Sequence, residues 1–241
     1  MDGFFEPSLP LTRDPTAPNS LYLGEADSED DVLALLKSTD AGASWSRAGV
    51  TDFDAYVLAI DPAVPTTLYA GTTSGVSKST DGGMTWKPTA LGVEMSVNVL
   101  VIDPRKPNVL YAALAGSGYP PRGSIGGLSK TTDGGMSWFP INNGLSELMD
   151  TRSPVSTLVI DPADADILYV AAPGYGVFRS VDAGANWSRF NDGLPNLGVR
   201  ALAISRGRSS KLYAATDGGI FAIALTPKIR PTRARGRNHL N

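Results

Sequence analysis

The stretch that decides the fold is STDGGMTW at residues 79–86, because three near copies of it occur elsewhere in the chain. The copies are STDAGASW at 38–45, TTDGGMSW at 131–138 and SVDAGANW at 180–187, so the shared pattern is S/T-x-D-x-G-x-x-W. All four tryptophans of the protein stand at the last position of this pattern. A residue type confined to one recurring position indicates a structural unit that has been copied, with the same anchor in each copy.

A second pattern precedes each copy and lengthens the repeat. In the second unit Leu58, Asp61 and Pro62 are followed by Leu68 and Tyr69, and the same spacing recurs in the first, third and fourth units. A fifth unit, from about residue 201, keeps the leucine-tyrosine pair but has lost both the Asp-Pro pair and the tryptophan pattern. The aspartates of successive tryptophan patterns are 41, 52 and 49 residues apart. Four-stranded propeller blades repeat at about this spacing, roughly every 40 to 50 residues.

The repeat predicts an all-β fold. The segments between glycines and prolines are short and rich in β-branched and aromatic residues, which favours strands over helices. We therefore predict a β-propeller of four-stranded antiparallel blades, with five repeats that form either a five-bladed ring or part of a larger propeller. The predicted domain comprises residues 1–225, with repeats at about 11–50, 57–93, 99–145, 157–194 and 201–225, followed by a basic tail at 226–241 that we expect to be disordered. The fifth repeat lacks a fourth strand, for which residues 3–6 and 223–229 are the candidates.

The aspartate and the tryptophan of each eight-residue pattern are predicted to be structural. The carboxylate should accept hydrogen bonds from the amides of its own turn, and the indole ring should be buried with its N–H group satisfied. This role is assigned to Asp40, Trp45, Asp81, Trp86, Asp133, Trp138, Asp182 and Trp187.

Composition removes several classes of chemistry. The chain has no cysteine and one histidine, His239, so disulfides, thiol catalysis and imidazole metal clusters are not expected. We predict no metal site and no cofactor. No apolar run reaches the roughly 18 residues that a membrane-spanning helix needs, and residues 1–10 lack the features of a secretory signal. The tail has five basic residues and no acid, but no specific nucleic-acid binding is expected.

The two ends of each blade are predicted to differ. Antiparallel order places the Asp-Pro turn and the tryptophan pattern at one end, and the connections of variable length at the other. Variable loops on a repeated frame are where recognition usually lies. We therefore predict a binding rim at the variable end, made of Tyr56, Asn98, Ser156, Arg200, Tyr119, Arg122 and Arg152.

The eight-residue pattern resembles the Asp-box, or BNR repeat, and its combination with I-D-P and L-Y-A resembles bacterial BNR-like propellers. This group includes xyloglucanase-like glycoside hydrolases, photosystem II assembly factors, the sortilin ectodomain and sialidases. The resemblance covers most of the chain and implies a sialidase-like propeller, in which the Asp-box is a structural hairpin between the third and fourth strands, away from the ligand face. Members of the group are mostly exported and differ in function, so the resemblance specifies the fold better than the activity.

Two classes of function remain open at this point. The favoured prediction is a non-catalytic binding or scaffold module, which presents its variable loops to a protein or glycan partner. The alternative is a glycoside hydrolase, or a fragment of one, which needs two carboxylates about 5 to 9.5 Å apart. Sialidase chemistry is not expected, because the Arg-Ile-Pro segment of those enzymes does not occur here.

The hydrolase alternative has its own candidate residues. LYAATDGG at residues 212–219 is similar to L-Y-A-x-T-D-x-G-G of the xyloglucanase-like enzymes, and Asp217 matches the catalytic aspartate of that motif. The match is one residue short and lies in the last unit, so a turn role is favoured for Asp217. Under this alternative the candidate acids are Asp54, Glu94, Asp150 and Asp217.

Overall fold

The computed structural model describes residues 10–26, 33–51, 55–91, 95–115, 126–149, 155–205, 207 and 210–225 of the 241-residue chain. Within these residues five antiparallel sheets follow one another in chain order, four with four strands and the last with three. The chain is an all-β propeller, as predicted, and each sheet is one blade.

The strands of the five blades are as follows. Blade one contains β1 (Leu11–Arg13), β2 (Leu21–Ala26), β3 (Leu33–Ser38) and β4 (Ser46–Thr51), and blade two contains β5 (Ala55–Ile60), β6 (Leu68–Thr72), β7 (Gly75–Ser79) and β8 (Lys87–Pro88). Blade three contains β9 (Ser96–Ile102), β10 (Leu110–Ala115), β11 (Gly127–Thr131) and β12 (Phe139–Pro140), and a short helix, α1 (Ser146–Met149), follows it. Blade four contains β13 (Thr157–Ile160), β14 (Leu168–Ala172), β15 (Gly176–Ser180) and β16 (Ser188–Arg189). Blade five contains β17 (Val199–Ile204), β18 (Lys211–Thr216) and β19 (Gly219–Ala224).

The first strand of each blade is the inner strand of the propeller. β1 lies beside β5, β5 beside β9, β9 beside β13 and β13 beside β17, so these strands surround the axis. A strand with neighbours on both faces must be apolar on both faces. This explains why Leu58 and Ile60 alternate with Val57 and Ala59 in β5 rather than with charged residues.

Each blade has a leucine face and a tyrosine face, and the core forms where the two meet. In blade two, Leu58 and Leu68 lie on the leucine face, and Tyr69 and Val76 lie on the tyrosine face. Tyr22 on the tyrosine face of blade one is buried together with Leu58 and Leu68. Equivalent clusters lie between blades two and three, three and four, and four and five. The described core is therefore shared between blades.

A lysine on the third strand strengthens two of these junctions. Lys78 Nζ lies 5.0 Å from the centre of the Tyr69 ring and donates to the Gly134 carbonyl of the next blade at 3.3 Å. Lys130 repeats the arrangement, 5.3 Å from the Tyr111 ring and 3.0 Å from the Ala183 carbonyl. Burial lowers the pKa of Lys130. Each lysine thus couples its own tyrosine to the neighbouring blade.

The four tryptophans are buried unequally, which the sequence did not predict. Trp187 is buried and donates its indole N–H to the Ile141 carbonyl at 2.8 Å, whereas Trp45 is exposed. Trp138 is half-buried, and its indole nitrogen has no hydrogen-bond acceptor among the described residues. Trp86, Trp138 and Trp187 each pack into the cluster shared with the preceding blade. Trp45 belongs to blade one, so the described residues give it no preceding blade.

One candidate for a closing strand is ruled out. Ile223 and Ala224 belong to β19, the third strand of blade five, so a fourth strand cannot be formed by residues 223–229 as a unit. Residues 3–6, the other candidate, and the basic tail at 226–241 lie outside the described residues. In the part of the chain that the structure describes, no helix has the length and apolar character required to cross a bilayer.

Because the core is shared between blades, a leucine-to-alanine substitution at equivalent positions should lower the free energy of unfolding by different amounts. Leu158 and Leu11 occupy the same place in their blades, but Leu158 is 4% exposed and Leu11 is 64% exposed. We expect Leu158→Ala to lower the free energy of unfolding by about 2 to 5 kcal/mol, because it opens a cavity between two blades. Leu11→Ala should cost less than about 1 kcal/mol. Urea denaturation of both variants and the parent measures the difference, and equal costs would contradict the shared core.

Candidate functional site

The eight-residue patterns form closed hydrogen-bonded turns between the third and fourth strands. In the third copy, Thr131 Oγ1 donates to Asp133 Oδ1 at 2.7 Å and accepts from the Gly135 amide at 3.0 Å. Ser137 donates to the same carboxylate twice, from its amide at 2.9 Å and from its hydroxyl at 2.5 Å. Gly135 has a φ of 94°, a conformation that residues other than glycine resist.

The other three copies repeat these bonds around Asp40, Asp81 and Asp182. Because hydrogen bonds from the turn favour the ionised carboxylate, they lower the pKa of Asp40, Asp81 and Asp133 to about 2. The pKa of Asp182 is also lowered, chiefly by the Asn186 side chain. Each of these four carboxylates accepts its hydrogen bonds from residues of its own turn, which is the structural use that the sequence predicts.

Sequence reasoning missed the residue that makes these turns possible. The seventh position of the pattern is Ser44, Thr85, Ser137 or Asn186, and in each copy it donates both a backbone and a side-chain hydrogen to the aspartate. The signal was present in the sequence, because all four residues are short polar donors.

The turns lie at the same end of the blades as the Asp-Pro corners. The Gly134 amide donates to the Asn108 carbonyl at 2.9 Å, which joins the turn of blade three to the connection between its first two strands. In that connection Asp103 accepts from the Arg105 amide at 2.8 Å. The aspartates of this end are thus used in local structure, and a ligand site is expected at the other end.

Two residues of the predicted rim instead join neighbouring blades. Asn98 Nδ2 of blade three donates to the Val155 carbonyl of blade four at 3.1 Å. Ser156 Oγ of blade four donates to the Val199 carbonyl of blade five at 3.0 Å. Both side chains are half-buried, and so is Tyr56. The polar character that suggested a rim therefore has a structural use in blades three and four.

Arg200 occupies the equivalent position in blade five and makes a different contact. Its Nε donates to Asp217 Oδ1 at 2.9 Å and its second terminal nitrogen to Oδ2 at 3.4 Å. These bonds raise the pKa of Arg200. Asp217 lies in the turn between β18 and β19, and both side chains are exposed. The structure thus brings together one predicted rim residue and one candidate acid.

A second ion pair forms between Glu147 of α1 and Arg189 of β16. It joins the connection after blade three to the outer strand of blade four. The remaining predicted site residues lie outside the described residues: Asp54, Glu94, Tyr119, Arg122, Asp150 and Arg152.

Two clefts lie away from the Arg200–Asp217 pair. One, of about 400 Å³, lies between the turns of blades two and three and is bordered by Lys78, Lys87 and Met136. The other, of about 310 Å³, is apolar and is lined by inner-strand residues that include Val101, Leu158 and Ile204. No carboxylate is among the described residues that line either cleft, so neither offers the acids for glycoside hydrolysis.

Comparison with known proteins identifies relatives of this chain by sequence. The relatives are xyloglucanases. A probable oligoxyloglucan-reducing end-specific xyloglucanase of Neosartorya fischeri is 31% identical over 147 residues, which cover 54% of this chain and 17% of that protein. A Paenibacillus xyloglucanase is 36% identical over 108 residues, which cover 43% of this chain and 10% of that protein. No family model matches the chain.

Solved structures support the same fold. The GH74 xyloglucanase of Xanthomonas campestris superposes with a TM-score of 0.67 at 20% identity, over 88% of this chain and 36% of that chain. The present chain thus spans only a minor part of the length of the relatives that it matches. It is a propeller similar to xyloglucanases, and identity at this level to a solved structure carries the fold alone.

These relatives contradict the favoured prediction of a non-catalytic scaffold. That prediction rested on the imperfect match around Asp217, which is one residue short and lies in the last unit, but the proteins similar in sequence are named as xyloglucanases. The prediction of a non-catalytic scaffold was therefore wrong.

The lowered carboxyl pKa values predict a stability change in acid. A carboxyl whose pKa is about 2 in the folded chain and 3.8 in the reference state stabilises the fold above pH 3.8, and this contribution disappears as the pH falls through about 2. We expect Ser137→Ala, which removes one donor to Asp133, to reduce the loss of unfolding free energy between pH 4 and pH 2. Thr132→Ala changes an exposed neighbour in the same turn and should leave that loss unchanged. Denaturant titrations at several pH values provide the measurement, and identical pH profiles for the two variants would refute the assignment.

Proposed function

We propose that this chain is a propeller portion of a xyloglucan-acting glycoside hydrolase, with the polysaccharide bound at the variable end of the blades. The similarity in sequence to xyloglucanases carries the proposal. The use of the aspartates at the opposite end in structural turns supports it, because that end has few free carboxylates to offer.

We also propose that the repeats are BNR repeats, with the eight-residue turn as an Asp-box. The support is the same set of hydrogen bonds around Asp40, Asp81, Asp133 and Asp182, placed between the third and fourth strands in each copy. A single propeller domain over residues 1–225 is part of the same proposal, since all the described blades follow one repeat.

Asp217 is the described residue that best fits the ionised member of a catalytic pair. Glycoside hydrolysis needs one protonated acid and one carboxylate that acts as base or nucleophile. Two guanidinium nitrogens of Arg200 donate to the two oxygens of Asp217 and fix their orientation, which suits a carboxylate that acts as base or nucleophile. The acid would then come from Asp54, Glu94 or Asp150, or from a part of the catalytic cleft that another domain supplies.

Xyloglucan assays on the purified chain test this proposal. We expect the chain to be retarded in gels that contain xyloglucan, and to release reducing ends if it holds both carboxylates. Asp217→Asn should lower kcat by about 10² to 10⁴, the usual contribution of a positioned acid or base, while the retardation persists. Asp166→Asn removes an exposed carboxylate from the opposite end of blade four and should change neither quantity.

The outcomes separate binding from catalysis. Retardation without reducing ends would assign the chain to the substrate-binding surface alone, with its catalytic partner elsewhere. Neither retardation nor reducing ends, with a folded protein by circular dichroism, would contradict the proposal.

A further inference from the structure

Gly198 lies directly against the carboxylate of Asp217, in the segment that enters blade five. A methyl group at Gly198 would lie 3.0 Å from Asp217 Cγ and closer still to Oδ2. Favourable contacts between carbon atoms are longer, at about 3.5 to 4.0 Å. Gly198 is not among the glycines with a positive φ, so its backbone conformation is one that other residues adopt. The space taken by the Asp217 carboxylate, rather than the backbone conformation, therefore requires glycine at this position.

The main chains of the two residues are also bonded. The Asp217 amide donates to the Gly198 carbonyl at 3.1 Å, which joins the turn between β18 and β19 to the segment before β17. The Gly198 amide donates to Asn196 Oδ1 at 2.8 Å. Both backbone polar groups of Gly198 are thus bonded, so this residue cannot move away from the carboxylate without loss of a hydrogen bond.

The neighbours of Gly198 attach the segment to blade four. The Leu197 carbonyl accepts from the amides of Gly174 at 2.9 Å and Gly176 at 3.2 Å, where β14 turns into β15. Val199, on the other side of Gly198, is buried in the core that blades four and five share. The position of Gly198 is therefore set by two blades.

We propose that Gly198 is a positioning residue for Asp217. The inference rests on the proposed function, in which Asp217 is the ionised carboxylate of a glycoside hydrolase. Arg200 donates to both oxygens of Asp217, and Gly198 leaves the room that the carboxylate needs to reach those donors. An exposed ion pair alone contributes little to the order of its side chains. The fixed backbone of Gly198 adds a rigid surface against which the carboxylate rests.

The Arg200 side chain reports the position of the carboxylate by NMR. The Arg200 Nε–H resonance, assigned by its loss in Arg200→Lys, depends on the hydrogen bond to Asp217 Oδ1. We expect Gly198→Ala to move this resonance towards its position in Asp217→Ala, because the added methyl group displaces the carboxylate. Thr216→Val removes hydroxyl hydrogen bonds from the same turn without adding bulk beside the carboxylate, and it should leave the resonance in place.

Urea denaturation in two backgrounds isolates the contact with Asp217. Gly198→Ala should lower the unfolding midpoint of the parent more than that of Asp217→Ala, in which the methyl group meets no carboxylate. The methyl group also lies 3.0 Å from Asn196 Oδ1, but this contact is common to both backgrounds. A Gly198→Ala chain that fails to fold, beside a double variant that folds, supports the proposal in the same way.

Xyloglucan hydrolysis provides the kinetic test. Gly198→Ala should lower kcat about 10- to 100-fold, with KM within about twofold of the parent, because a small displacement of a reacting group affects the chemical step. In the Asp217→Asn background the same change should have no further effect on kcat, since residues that act through one another are not additive.

The outcomes separate this proposal from the proposed function. An Arg200 Nε–H resonance that is the same in Gly198→Ala and the parent would overturn the proposal, and so would equal midpoint shifts in the two backgrounds. The NMR and urea comparisons need no activity, so they decide the role of Gly198 even in a chain that releases no reducing ends. A loss of kcat that persists unchanged in the Asp217→Asn background would show that Gly198 acts through another residue.

Discussion

The structure depends on the contact between the tyrosine face of one blade and the leucine face of the next. No described blade holds a core of its own: Tyr22, Tyr69, Tyr111 and Tyr169 are each buried only because another blade follows. A blade is therefore stable as a member of a series, in the way of repeat proteins whose units bury their apolar faces against neighbours. The exposure of Leu11 and Trp45 in blade one is a direct consequence of this dependence.

The two ends of a blade differ in the structure of their connections. At one end the Asp-Pro corner and the eight-residue turn are joined by backbone hydrogen bonds, and their carboxylates are used within the turns. In blades two and three, Lys78 and Lys130 of the third strand donate to carbonyls in the eight-residue turn of the next blade. The connections of variable length lie at the other end, where Asn98 and Ser156 also bond to the next blade.

Repetition made the fold predictable, and it also limited what could be predicted of the site. The four tryptophan patterns and the spacing of Asp40, Asp81, Asp133 and Asp182 indicate blades, because each copy forms the same turn between the third and fourth strands of its blade. The exposure of Trp45 could not be foreseen, since it depends on position in the series and not on the pattern itself. Asn98 and Ser156 were predicted as rim residues because they are polar, and the sequence did not indicate that their side chains bond to carbonyls of the next blade.

Arg200 of blade five differs from the equivalent residues of blades three and four in the partner of its side chain. In blades three and four the position five residues before the corner bonds to the next blade, so its side chain is not free for other chemistry. In blade five no described blade follows, and the same position holds an arginine that turns to Asp217 of its own blade. The Arg200–Asp217 pair has no equivalent in the other described blades, so the repeat alone did not indicate that these two side chains meet.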